Sequence, residues 1–178
     1  DEAQELATRM NYNGCTSSLI FGIQWNLVLK YIETKNPAQK SNLLTNSTSI
    51  GNYYNSSFEL NRGKFAQNGA LSNWFDYNYN SESTKNLVAE SQKKEQSSNS
   101  NAILLTTGAT EATNLQNIYD IAGNVYEWTL EFYSTGTPCV YRGGSCNNNG
   151  SGNPAKYRDN SNASHSVYNV GFRLGLWR

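Results

Sequence analysis

The spacing of apolar positions changes several times along this chain, and each change marks an element boundary. Residues 1–10, DEAQELATRM, place acidic groups at their start and predict a first helix, because carboxylates favour a helix N-terminus. Residues 17–33 predict a second, with Leu19, Ile23, Leu27 and Tyr31 along one face. Ile20, Val28 and Ile32 widen that face, and Ser17 or Ser18 serves as its cap. The stripe reads as core, with no sign of a cofactor box. Residues 36–61 and 81–101 are polar, Asn- and Ser-rich, and poor in apolar positions, so both read as surface excursions. AILLTTG, starting at Ala102, predicts a short strand closed by a turn, and VYRGGS and VGFRLGLW predict further strands bounded by glycine. Between those two, CNNNGSGNPAKYRDNSNASHSVYNV has neither helical nor strand period. A polar, aperiodic segment pinned by strands is a surface loop, and loops held in this way usually carry function.

Three motifs make the pattern more specific: NIYDIAGNVYEW at Asn117–Trp128, YRGGS at Tyr141–Ser145 and GFRL at Gly171–Leu174. Together they resemble the core signature of the formylglycine-generating-enzyme-like branch of the C-type lectin fold. Within that branch the Asn-rich tail most resembles the variable proteins of diversity-generating retroelements, whose ligand-binding loops are rewritten by adenine-directed mutagenesis. The resemblance is specific over the C-terminal third, looser over SSLIFGIQWNLVLKYI and weak in the middle. It implies an α+β, C-type lectin-like fold: one domain over 1–178, two N-terminal helices packed on small antiparallel sheets, much irregular loop, and a variable ligand-binding region at about 146–169.

The genetic code gives a second route to the same reading. In such systems an Asn codon of the AAY type, altered at its adenines, yields Tyr, Ser, His, Asp, Gly, Cys or Val among others. Those residues interrupt the Asn run here, as Cys146, Gly152, Tyr157, Asp159, Ser161, His165, Val167 and Tyr168. Asn147, Asn149, Asn153, Asn160 and Asn169 then stand as unaltered template, and the altered positions together with Asn147, Asn149, Asn153 and Asn160 form the contact surface. Tyr supplies large contact area at low entropic cost and Asn, Ser, Gly and Asp supply adaptable hydrogen bonding, the mixture antibody paratopes use. Gly143, Gly144, Arg158, Gly171, Phe172 and Arg173 read as scaffold, with Arg158 and Arg173 tying main-chain carbonyls or nearby carboxylates. The competing origin is a low-GC genome, since stretches such as NSTSIGNYYNSS are Asn-rich outside the tail.

IAGNVYEW has its own chemistry. Its glycine permits a tight turn, Val125 and Trp128 read as core-facing, and Asp120, Asn124 and Glu127 bring oxygen ligands close together. In the resembled family this segment can hold calcium, and the carry-over places Asn124, Glu127 and the main-chain oxygen of Val125 around a structural Ca2+. Read from the residues alone, Asp120 and Asn124 hydrogen-bond the turn and Glu127 pairs with an arginine, the simpler account of so short a cluster. No cofactor is required on either account.

Composition narrows the remaining classes. The chain has 178 residues, one domain's length, with 14 Lys+Arg against 14 Asp+Glu and a formal charge of zero. No basic stripe suggests nucleic acid, and no apolar run is long enough to insert in a membrane. The chain starts without Met and carries no signal-peptide pattern, so it reads as an N-terminally trimmed fragment. The three cysteines, Cys15, Cys139 and Cys146, fit no dense disulfide framework. Formylglycine-generating enzymes bind copper through a cysteine pair three and eight residues beyond the Ser of GGS, and here those positions are Asn148 and Asn153. Iron-dependent relatives of the fold need several histidines, and the chain has one, His165. No G-x-S-x-G setting surrounds any serine. These counts lead to the expectation of a non-enzymatic protein, and the resemblance implies a display protein, on a phage particle or cell surface, whose protein or glycan ligand depends on the variant. The alternatives are a fixed-specificity carbohydrate-binding domain and a formylglycine-generating-type oxidase that lacks its cysteine pair.

Overall fold

The computed structural model describes residues 2–10, 13–70 and 72–177. Helix α1, Glu2–Thr8, carries Glu2 and Glu5 in its first turn and buries Ala7, as residues 1–10 predict; Asp1 lies outside the described residues. Where the apolar pattern predicts a second helix from Ser17, the chain first forms strand β1, Thr16–Leu19. Neither serine is a cap. Ser17 is buried and donates its Oγ to the carbonyl of Ala7 at 2.7 Å, while Ser18 donates to the carbonyl of Leu19. Helix α2 runs from Gly22 to Lys35, and the Gln24 side chain accepts the Phe21 amide at 2.7 Å in the first turn.

The buried face of α2 keeps the predicted widening positions Val28 and Ile32 but not the central row of the predicted stripe. Trp25, Leu29 and Ile32 point inward with Val28 beside them, whereas Ile23, Leu27 and Tyr31 are 65%, 61% and 46% exposed. Both rows have helical spacing, so periodicity cannot choose between them. Trp25 chooses, because an indole buries more apolar area than either aliphatic competitor and its Nε1 donates to the carbonyl of Ala155 at 3.0 Å. After a 3-10 turn at Pro37–Gln39, helix α3, Lys40–Leu44, adds Leu43 to the same core. Ile50, Tyr53, Ile121 and Ala122 complete it, so residues 36–61 are more firmly built than their composition suggests.

A second core lies under five short strands, β2 (Phe58–Glu59), β3 (Lys64–Gln67), β4 (Phe75–Asp76), β5 (Lys93–Lys94) and β6 (Ile103–Leu105). β3 pairs with β4 and β6, and β2 with β5, all antiparallel. Phe65, Leu87, Val88 and Ile103 fill the space between them. Residues 81–101 are therefore no free excursion: Thr84, Leu87, Val88 and Lys94 are buried.

A small hairpin, β7 (Asn114–Leu115) and β8 (Ile118–Tyr119), leads into the glycine turn. A Cβ on Gly123 would fall 2.5 Å from the Asn52 carbonyl oxygen, which is why glycine stands there. The last sheet has the order β11-β10-β9-β12, from β9 (Tyr126–Phe132), β10 (Cys139–Arg142), β11 (Arg158–Ser161) and β12 (Val170–Phe172). β12 runs parallel to β9, and β13 (Leu174–Trp177) crosses to pair with β1. Alternation along β9 buries Glu127 and Thr129 and leaves Tyr126 and Trp128 half-buried on the outer face. Val125 packs against a small core of Ala102, Leu104 and Cys146, but Trp128 does not face a core as the motif suggests.

Candidate ligand-binding face

The tail between β10 and β12 divides into a docked half and a displayed half. The docked half, residues 145–157, is laid against the segment 43–56. Ser47 donates to the Gly150 carbonyl at 2.8 Å, and Ala155 donates to the Ser47 hydroxyl at 2.8 Å. Lys156 donates to the Leu43 carbonyl at 3.1 Å, and the Tyr53 hydroxyl donates to the carbonyls of Gly143 and Asn153 at 3.0 and 2.7 Å. A Cβ on Gly150 would sit 2.3 Å from the Thr48 amide nitrogen, so this stretch packs with no room to spare. Cys146, read from sequence as a contact residue, is fully buried against Ala102 and Leu104, and burial pushes its thiol up to about 12. It is a core residue. Asn147 and Asn169 bond to each other at 3.1 Å, Asn149 accepts from Ser151 at 3.0 Å, and Asn153 donates to the Tyr126 hydroxyl at 3.1 Å. Gly152 is exposed.

The displayed half begins after Tyr157, with β11. Strand alternation places Asp159, paired with Tyr141, and Ser161, paired with Cys139, on the outer face of the sheet. Arg158 and Asn160 lie on the opposite face, where Asn160 pairs with fully buried Val140, so Asn160 does not belong to the outer surface as expected. Beyond β11 the chain turns back over the sheet, exposing His165, Val167 and Tyr168. His165 meets Trp128 edge-on with ring centres 6.4 Å apart. Between this loop and α1 opens a cavity of about 630 Å³, whose lining includes Glu2, Trp128, Cys139, His165, Val167 and Phe172. A space of that size suits a small ligand or a partner's side chains.

Sequence reasoning missed the floor of this face. Tyr126, Trp128 and Tyr141 form a row, with ring centres 4.7 Å apart for Tyr126 and Tyr141 and 5.4 Å for Trp128 and Tyr141. Tyr157 joins it at 6.1 Å from Tyr126. The signal that finds these residues is the period-two alternation of YEWTLEF, which puts Tyr126 and Trp128 on one side of a strand.

The scaffold residues hold this geometry from beneath. Gly143 and Gly144 have φ of +90° and +78°, and a Cβ on Gly144 would stand 2.4 Å from the Asn153 carbonyl oxygen. Arg158 donates from Nε to Glu131 at 2.6 Å and lies over the Tyr133 ring at 5.1 Å. Gly171 leaves room for Val125, and Phe172 lines the cavity. Arg173 grips both oxygens of Glu127 at 2.8 Å and donates to the carbonyls of Tyr119 and Asp120 at 2.9 and 3.2 Å. The carbonyls it ties belong to the turn before β9, not to the tail.

Those bonds decide the calcium carry-over. The Asn124 oxygen accepts from the Leu105 amide and from Asn52, at 2.9 and 3.0 Å, and its amide donates to the Leu105 carbonyl. Glu127 is taken up by Arg173, and burial pushes its carboxyl upward while the guanidinium pulls it down. Asp120 accepts the Gly108 amide. Asn124, Val125 and Glu127 therefore do not fit a cation site, because a positive charge already occupies the position beside the carboxylate. Among the described residues no group of three or more His, Cys, Asp or Glu could hold a metal ion.

With the geometry in place, comparison with known families assigns the class. A model described as the sulfatase-modifying factor enzyme 1-like domain matches residues 46–176, and the chain belongs to that family. No curated protein and no solved structure matches the chain. The family includes a formylglycine-generating enzyme as well as non-enzymatic members, so membership assigns the domain and not a reaction. At the two positions where the resembled enzymes carry copper-binding thiols, Asn148 accepts from the Ser145 amide at 2.9 Å and Asn153 supplies the carbonyl that Tyr53 bonds. Neither side chain can supply a thiolate.

Proposed function

We propose that this chain is a non-enzymatic, ligand-binding display protein of the C-type lectin branch, whose C-terminal tail is diversified by a retroelement. The observation that carries the proposal is the division of the tail. The main chain of its docked half is pinned by residues outside the diversified set, chiefly Ser47, Tyr53 and Trp25, while Asp159 and Ser161 are held on β11 by its pairing with β10, and His165, Val167 and Tyr168 are exposed on the loop that follows. Side chains on such a surface can change without moving the backbone, the requirement a diversified paratope imposes. The ligand is a protein, or a glycan, selected by the variant; Asn153 touches the face through its bond to the Tyr126 hydroxyl, and Cys146 is excluded by its burial.

The test is to sequence the DNA around the gene and around sibling copies. The expected result is a reverse transcriptase beside a near-copy of the tail that differs only where the copy has adenine, with sibling variation at displayed positions and none at Cys146 or Ala155. Finding neither would overturn diversification and leave a domain of fixed specificity.

A further inference from the structure

The outer face carries a carboxylate with no cation. Asp159 stands across from Tyr141 in the β10–β11 register. Its Oδ2 accepts the Tyr157 hydroxyl at 3.0 Å, and its Oδ1 accepts the Asn160 amide at 2.8 Å. None of the ion pairs among the described residues includes it. A carboxylate offers about four lone-pair positions; these two donors take one on each oxygen, and the Tyr141 hydroxyl shares in what remains.

Aromatic rings crowd that carboxylate. Tyr126, Tyr141 and Tyr157 are half-buried, with ring centres 4.7 and 6.1 Å from Tyr126 to the other two. Ring faces are negative, so their field adds to the carboxylate's and favours a cation in the same place. The hydroxyls register this surrounding. Burial first, then the charge of Asp159, pushes Tyr141 up to about 12, and Tyr157 moves in the same direction.

We propose that Asp159, Tyr126, Tyr141 and Tyr157 form a seat for an arginine side chain on a protein partner. An ion-pair-free carboxylate accepts charged N–H bonds from a guanidinium in place of a weaker neutral donor, and the guanidinium's flat face stacks on tyrosine. An ammonium offers neither the fork nor the plane. Tyr126 and Tyr141 belong to the framework strands while Tyr157 and Asp159 belong to the tail, so part of the seat persists when the tail changes. The inference rests on the reading of this face as a contact surface.

The experiment is an NMR titration of the full chain at low salt, following Tyr and Asp159 resonances. The probes are N-acetyl-arginine methylamide, its neutral citrulline analogue, the lysine analogue and methyl glucoside. The arginine probe is expected to shift Tyr141 and Tyr157, with at least about ten-fold stronger binding than citrulline, since a charged bidentate pair contributes about that factor. Asp159→Asn is expected to abolish the preference at an unchanged melting temperature, and Tyr141→Leu to weaken binding. Glu82→Gln, at a surface carboxylate elsewhere, is expected to leave it intact. Equal binding of citrulline, stronger binding of lysine or glucoside, a preference that survives Asp159→Asn, or no shift up to the probe's solubility would each overturn the seat. A retroelement found without arginine binding defeats this inference alone. Arginine binding without a retroelement defeats diversification and leaves the seat standing.

Discussion

Lys94 donates its ammonium to the carbonyl oxygen of Ser56 at 2.7 Å, reaching 38 residues back along the chain. The Tyr53 and Tyr54 carbonyls share the same ammonium, and Lys94 itself is 1% exposed. This buried cation fastens β5 to the segment on which the tail is docked.

Replacing Lys94 with Met is expected to lower stability by about 3 kcal/mol, because carbonyls that it satisfies are left buried without a donor. Urea denaturation at neutral pH checks the value, and an unchanged midpoint would contradict the role. The pH dependence follows from burial, which pushes the ammonium down to about 8, below the roughly 10.4 of an unfolded lysine. Between those values the unfolded chain binds more protons than the folded one, so stability from this group rises with pH. The stability gap between the native chain and Lys94→Met is therefore expected to widen from pH 8 to 10.

Arg173→Ala is expected to destabilise the chain by about 3–5 kcal/mol, since it strands the buried Glu127 carboxylate and frees the Tyr119 and Asp120 carbonyls. Arg173→Lys restores charge without the two-pronged geometry and is expected to recover less than half of the loss. Denaturant midpoints of the two variants measure both effects, and full recovery by lysine would show that charge alone matters.

Helix α2 offers a test of its own orientation. Leu29→Ala is expected to cost about 2–4 kcal/mol, whereas Leu27→Glu, two positions away and 61% exposed, is expected to change stability by less than about 0.5 kcal/mol. Thermal unfolding separates the two readings, because the stripe expected from periodicity predicts a large loss for Leu27→Glu.

Gly144→Ala is expected to lower stability by about 2 kcal/mol or more, as φ is +78° and the added carbon would meet the Asn153 carbonyl oxygen at 2.4 Å. Gly136→Ala, where nothing lies within 4 Å, serves as the control. Equal melting temperatures for the two variants would remove the packing argument for the docked half of the tail.

The C-terminal frame was legible because its signals are local. VYRGGS and VGFRLGLW are apolar, strand-like and punctuated by glycine, and β10, β12 and β13 form from them. The Asp120–Trp128 motif was read correctly as a turn, with Glu127 taken by an arginine in the residue-level account. The start of α2 was not legible, because Thr16–Leu19 becomes a strand only through pairing with residues more than 150 positions away. Cys146 and Asn160 were misplaced for a related reason: composition marks a tail residue as polar or variable, but not the face on which it lands.

By itself, the sequence determined which segments are strands or helix at the C-terminal frame and at α1, and which motifs tie the chain to its family. Those properties depend on neighbours a few positions apart. Only the tertiary structure decided the buried side of α2, the division of the tail into docked and displayed halves, and the aromatic floor beneath Asp159. Each of these depends on which distant surface excludes water from a given side chain, and local spacing carries no record of that partner.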